Sequence, residues 1–331
     1  MKKIISMLLL PIFIILLVAG CSTVKTKDAG SGEQKKPEKI RIAWQPGITP
    51  LLEVAIQQGW FEEEFKKDGI QVEFEKFLSG PPMIEAFAGG RLDFGSVGDQ
   101  PLIQARANNI DIKAIASQTV GYKVLGLVVP NGSEIKSPKD LRGKKVGVTV
   151  GSAAHQLLLL YLESNGLTAN DIKLVNLQPP DIKTSLTAKQ IDATVLWEPW
   201  ISTIEIENIG HQISDASGLK LNTGVIIASN DFGKKYPDIV KRFLTVYKKS
   251  EQFIKENPNQ AAQLIAKGNG MKPEIMTRVL SNFEYEVRLT DEVINSLGQT
   301  AKYLRETNVI RKDVTTQELV DTSYLKAAGL Q

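Results

Sequence analysis

A pattern that occurs twice constrains this chain more than any other feature. Lys39-Ile-Arg-Ile-Ala-Trp44 alternates apolar and polar side chains and runs into Gln45-Pro46-Gly47, which predicts a strand and then a loop. Thr49 as N-cap and Pro50 at the first helical position then start a helix that ends near Gln58-Gly59-Trp60. Roughly a hundred residues on, Lys145 to Val150 reads as a strand, Gly151-Ser152 as a turn, and Ala153 to Ser164 as a helix stopped by Asn165-Gly166. A second echo lies at nearly the same offset. Ala86 to Asp93 leads through an apolar stretch to Gly98-Asp99-Gln100-Pro101, and Ser185 to Asp192 leads through another to Trp197-Glu198-Pro199. Each reads as a helix, an apolar-Asp pair, a short buried strand, an acid, a proline and a further helix. Two strand-helix patterns repeated together predict two α/β lobes of common architecture.

Two further apolar runs, Lys123 to Val129 and Thr223 to Ser229, bracket the second half-pattern. They are the expected crossing points of a two-strand hinge. The expected division is residues 39–127 and 222–331 for the first lobe and 128–221 for the second. The remainder of the chain predicts helices over Pro237 to Asn257, Asn259 to Lys267, Pro273 to Ser281 and Thr290 to Glu306, which would complete the first lobe. Ser137-Pro138-Lys139-Asp140 has the form of a capped helix start.

The N-terminus carries a different message. Lys2 and Lys3 precede an almost wholly apolar run from Ile4 to Ala19, broken by Pro11 and short for a spanning helix. Val18-Ala19-Gly20 supplies the small residues that a signal peptidase accepts, and Cys21, the single cysteine of the chain, follows at once. Residues 1–20 are therefore expected to be a signal peptide of the lipoprotein type. Cys21 would be lipidated and hold the protein on the extracytoplasmic face of the cell membrane. Residues 21–38, polar and containing Gly30-Ser31-Gly32, read as a flexible tether.

Composition narrows the classes of function. Of 331 residues, 42% are hydrophobic and 23% charged, which is ordinary for a soluble globular chain of about two domains. Removing residues 1–20 leaves 38 basic residues (40 less Lys2 and Lys3) against 37 acidic ones, a net charge near +1. No basic run is interleaved with aromatics, so nucleic acid is not an expected partner. Only two histidines occur, His155 and His211, and no metal-ligand cluster, phosphate-binding loop or hydrolase nucleophile motif is present. No cofactor, metal or enzymatic turnover is expected.

The loops that end the strands are the candidate site, because open α/β sheets bind ligands beyond the carboxyl ends of their strands. They carry Gln45, then Ser79-Gly80, Asp99, Gly151-Ser152 with His155, and Trp197-Glu198. Helix starts present unpartnered N–H groups and partial positive charge, glycine admits close approach, and serine adds a hydroxyl donor, which together suit an anion. Each residue also has a plainer reading. Gly-Ser before a helix serves as a turn and cap, His155 and Trp197 as ordinary packing, and Asp99 and Glu198 as N-caps that would repel an anion.

These residues carry a resemblance. Ile42-Ala-Trp-Gln-Pro-Gly47, Phe77-Leu-Ser-Gly-Pro81, Leu92 to Asp99, Ile135 to Val146, Gly151-Ser-Ala-Ala-His155, Leu177 to Asp181 and Leu196-Trp-Glu-Pro-Trp200 resemble the solute-binding proteins of nitrate, sulfonate and taurine ABC importers. The likeness is strongest to the aliphatic sulfonate-binding members. It implies a type II periplasmic-binding-protein fold, a monomer that closes around a small organic anion such as an alkanesulfonate, and delivery to ABC permease and ATPase subunits. It also places Gln45, Ser79, Gly80, Asp99, Ser152, His155 and Trp197 in or near the cleft. Other members of the group take taurine, nitrate, bicarbonate or pyrimidine precursors of thiamine. Sulfonate binders often have Gly-Tyr-Gln where this chain has Ala43-Trp44-Gln45. The pyrimidine-synthesising enzymes related to the group carry additional His and Cys that it lacks.

Overall fold

The computed structural model describes residues 36–330, so the expected signal peptide, Cys21 and most of the expected tether lie outside the described residues. The first part of the chain alternates strands and helices: β1 (Lys39–Trp44), α1 (Pro50–Gln58), α2 (Trp60–Lys66), β2 (Gln71–Lys76), α3 (Gly80–Ala88), β3 (Phe94–Gly98), α4 (Asp99–Ala107) and β4 (Ile112–Gly121). The middle part comprises β5 (Leu125–Pro130), β6 (Lys145–Val148), α5 (Ala153–Ser164), β7 (Lys173–Asn176), α6 (Pro179–Thr187), β8 (Ala193–Trp197), α7 (Trp200–Ile206) and β9 (Gly210–Asp215). After β10 (Asn222–Ser229) come α8 (Asn230–Lys235), α9 (Pro237–Glu256), α10 (Pro258–Asn269), α11 (Pro273–Asn282), β11 (Glu284–Tyr285), α12 (Asp291–Glu306), α13 (Thr316–Leu319) and α14 (Ser323–Ala328).

These strands form two sheets, ordered β11-β4-β10-β3-β1-β2 and β7-β6-β8-β5-β9. In the first, β1 runs parallel to β2 and β3, while β10 inserts antiparallel between β3 and β4. In the second, β6 is parallel to β7 and β8, and β5 is antiparallel to β8 and β9. The repeat in the sequence is therefore a repeat of architecture. β1-α1 and β6-α5 are equivalent units, as are β3-α4 and β8-α7. The crossings differ from the expected hinge strands. β5 lies wholly in the second sheet and β10 wholly in the first, so the chain passes between sheets in two short connections, Tyr122–Val124 and Ala216–Leu221.

Period-two alternation buries both faces of each sheet. On β10, Ile226 and Ala228 join a core with α1, α2, α9, α10 and α11, whereas Val225 and Ile227 join another with α3, α4 and α12. Phe94 and Phe243 stack in the first of these, with centroids 3.9 Å apart. In the second sheet, Leu125, Leu127, Val195 and Trp197 face α5, while Val128 and Leu196 face α6 and α7. The expected C-terminal helices appear within a residue or two of their predicted bounds. Pro237, Pro258 and Pro273 occupy first-turn positions, where the missing N–H costs nothing. Ser137 and Asp140 form a capping box on a single 3₁₀ turn.

Candidate functional site

Between the sheets, at the carboxyl ends of β1, β3 and β8, lies a cavity of about 60 Å³. That is room for a few water molecules, or for a compact head group with a short tail. Its wall takes Gln45, Ile48 and Thr49 from the loop after β1, Gly80 from the start of α3, and Ser96 to Gly98 with Pro101 from the β3-α4 junction. Gln118 and Thr119 of β4 and Asn222 and Gly224 of β10 complete the first-lobe side. Leu125, Ser152, Ala153 and Trp197 form the opposite side. Four helices begin at this wall, with Thr49, Gly98 and Ser152 as N-caps of α1, α4 and α5 and Gly80 as the first residue of α3. Among the described residues, no charged side chain lines it. Converging helix starts make the space electropositive without a formal charge.

The loops are held from behind. Gln45 is buried, and its Nε2 donates to the Ser96 carbonyl at 3.0 Å. Thr49 caps α1 by position only, since its hydroxyl donates to the Gln45 carbonyl at 2.9 Å. The carboxylate of Glu53, one helical turn on, accepts instead from the N–H groups of Gly47 and Thr49 and from Asn269. Burial pushes this carboxyl up to about 7. Gly47 adopts φ +73°, and a Cβ there would lie 2.5 Å from Pro199 Cγ, so this loop touches the opposite lobe where only glycine fits.

On the second lobe, the Ser152 hydroxyl donates to the Thr149 carbonyl at 2.6 Å and accepts from the His155 N–H at 3.3 Å. It is a helix cap whose proton is already placed. Gly151, at φ +83°, approaches Pro81 and Gln104 of the first lobe. His155 is half-buried, its Nδ1 3.5 Å from the Gly151 N–H, and burial lowers its pKa and favours the neutral ring.

Of the nine candidate ligand residues, Gln45, Gly80, Ser152 and Trp197 line the cavity, and Ser79, Asp99, Gly151, His155 and Glu198 do not. Ser79 is fully buried behind Gly80, with its hydroxyl unpartnered. Asp99 pairs with Lys220 at 2.8 Å and accepts from Thr300 at 3.0 Å. Glu198 accepts from the N–H and hydroxyl of Ser202, capping α7, and from Asn282 of α11 at 3.0 Å. Burial pushes its carboxyl up as well. Both acids thus act within the framework. Sequence reasoning missed Gln118, Thr119 and Asn222. Their signal was polarity out of place: Ser117-Gln118-Thr119 interrupts an otherwise apolar strand, and Asn222-Thr223 opens another.

Two mixed sheets with a cavity between their carboxyl ends, the returning strand β10 set between β3 and β4, define a type II periplasmic-binding-protein fold. The chain belongs to the NMT1/THI5-like family, whose model matches residues 45–261. It is 32% identical to the aliphatic sulfonates-binding protein named in Bacillus subtilis, over 97% of this chain and 96% of that one. It is 27% identical to the taurine-binding periplasmic protein of Escherichia coli, over 82% of this chain and 88% of that one. Among solved structures, the alkanesulfonate-binding protein SsuA from Xanthomonas axonopodis, bound to MOPS, superposes with a TM-score of 0.79 at 24% identity, covering 87% of this chain and 99% of that one.

Proposed function

We propose that this chain is an extracytoplasmic solute-binding protein that captures an aliphatic sulfonate and presents it to the permease and ATPase subunits of an ABC importer. The carrying observation is the wall itself: four helix starts and neutral donors face one small cavity, with the apolar surfaces of Trp197, Leu125 and Ile48 beside them. A sulfonate spreads its charge over three acceptor oxygens, which suits several neutral donors better than one buried cation. The ligands in the names of the relatives point the same way.

The wall also sets a preference. No carboxylate lines the cavity among the described residues, and the two acids of the candidate loops, Asp99 and Glu198, are committed to Lys220, Ser202 and Asn282. An ammonium on the ligand would go unpaired there. Simple alkanesulfonates should therefore bind more tightly than taurine. Capture is proposed to close the lobes about Tyr122–Val124 and Ala216–Leu221, with a lipid on Cys21 and residues 22–38 as the tether. A thermal-shift screen of the mature domain against ethanesulfonate, butanesulfonate, taurine, nitrate, bicarbonate and thiamine pyrimidine precursors tests the reading, because a ligand of the native state raises its melting temperature. Stabilisation by the alkanesulfonates above all others supports it. Stabilisation by nitrate or a pyrimidine alone overturns it.

A further inference from the structure

Behind the cavity a single lysine joins three parts of the fold. Lys220 lies in the returning connection Ala216–Leu221, two residues before Asn222 of the cavity wall. It is buried, and its ammonium donates to both carboxylate oxygens of Asp99, at 2.8 and 3.0 Å, and to Oε1 of Gln156 at 2.6 Å. Asp99 begins α4 in the first lobe, directly after Gly98 of the wall. Gln156 stands one turn into α5 in the second lobe, four residues after Ser152 of the wall. Thr300 of α12 and the Gln100 N–H fill the remaining acceptor positions of Asp99. The network is satisfied on every side, as a buried ion pair must be.

We propose that Lys220 is a positioning residue of the anion site that acts through its charge. It cancels the charge of Asp99, which otherwise sits at the start of α4 and opposes the positive end of that helix where an anion must bind. A carboxylate buried one residue behind the wall, in a medium that screens weakly, repels a bound sulfonate strongly enough to matter. This inference rests on the anion-binding reading above and deepens it, since it assigns the electrostatics of the site to a residue that does not line the cavity.

Charge compensation sets an order of affinities that structural damage alone cannot produce. Asp99→Asn leaves an uncompensated cation behind the wall and should tighten ethanesulfonate binding. Lys220→Met leaves an uncompensated anion and should weaken it by roughly tenfold or more. The double variant restores neutrality and should fall between them, near the wild type. Both single variants lose the same ion pair, so a purely structural role predicts that both bind less tightly. Calorimetric titration of ethanesulfonate into the wild type and the three variants at low ionic strength reads this directly. If Lys220→Met does not fold, Asp99→Asn against the double variant decides. Tighter binding by Asp99→Asn supports the proposal, and equal or weaker binding overturns it. A wild type that binds no sulfonate overturns the functional reading and this inference with it, whereas a binding wild type with the order lost overturns this inference alone.

Discussion

Glu53 Oε1 and Oε2 accept the same Gly47 N–H, at 2.9 and 3.0 Å, so a buried carboxylate on α1 fixes the tip of the loop that carries Gln45, Ile48 and Thr49 into the cavity. Its pKa is raised by burial to about 7, above the ordinary 4.5. The folded state therefore holds this proton more tightly than the unfolded state. The stabilisation that follows is complete below about pH 4.5 and is lost as pH rises to about 7. Measured as the difference in unfolding free energy between the wild type and Glu53→Gln, it should decline by up to about 3 kcal/mol across that window. A difference that is flat, or that grows with pH, contradicts the assignment.

Gly47→Ala should damage stability and binding together. Its φ of +73° is costly for a side chain, and the new Cβ would collide with Pro199 across the cleft. A loss of about 1–3 kcal/mol in a urea titration, with weaker ligand binding, is expected. Gly132→Ala is the control, because Gly132 also has positive φ (+80°) but nothing lies near its Cβ position. That variant should lose some stability and keep its ligand affinity.

Ser152→Ala separates capping from ligand contact. Both hydrogen bonds of the hydroxyl are internal to the start of α5. The variant should unfold about 1 kcal/mol more easily, the usual cost of a lost cap. Its affinity should fall only modestly. A large loss of affinity at unchanged stability would show that the hydroxyl turns to the ligand.

Much of this architecture is legible in the sequence because periodicity and punctuation agree there. β1-α1 and β6-α5 announce themselves through alternation, a turn, and glycine or asparagine stops, and β10 and α9 to α12 are nearly as plain. The edge strands are not. β7 is only Lys173-Leu-Val-Asn176, and β9 reads Gly-His-Gln-Ile-Ser-Asp, without the apolar run that marks a buried strand. In the site, the helix starts could be read because glycine, serine and proline betray them. What could not be read was which polar side chains are already committed. The bond from Ser152 to Thr149 is local, but Lys220 meets Asp99 across 121 positions and Asn282 meets Glu198 across 84. Only the folded chain brings those partners together.

The proposed lipid anchor at Cys21 lies outside the described residues and has its own test. Cys21→Ala expressed in a bacterial host should move from the membrane fraction to the soluble extracytoplasmic fraction, and mass spectrometry should find lipid on the parent alone. A variant that remains membrane-bound, beside a parent without lipid, contradicts the proposed lipidation.

The proposed site takes a sulfonate head on neutral donors and lays the tail against apolar surface. Calorimetric titration of the protein with ethanesulfonate, butanesulfonate, taurine and nitrate distinguishes this arrangement from the alternatives. One site is expected, with affinity that rises by up to about 0.8 kcal/mol per added methylene until the cavity is filled. Taurine should bind less tightly than ethanesulfonate, and the chain-length gain should shrink in Trp197→Ala. Tight binding of nitrate, with no heat from any sulfonate, would contradict it.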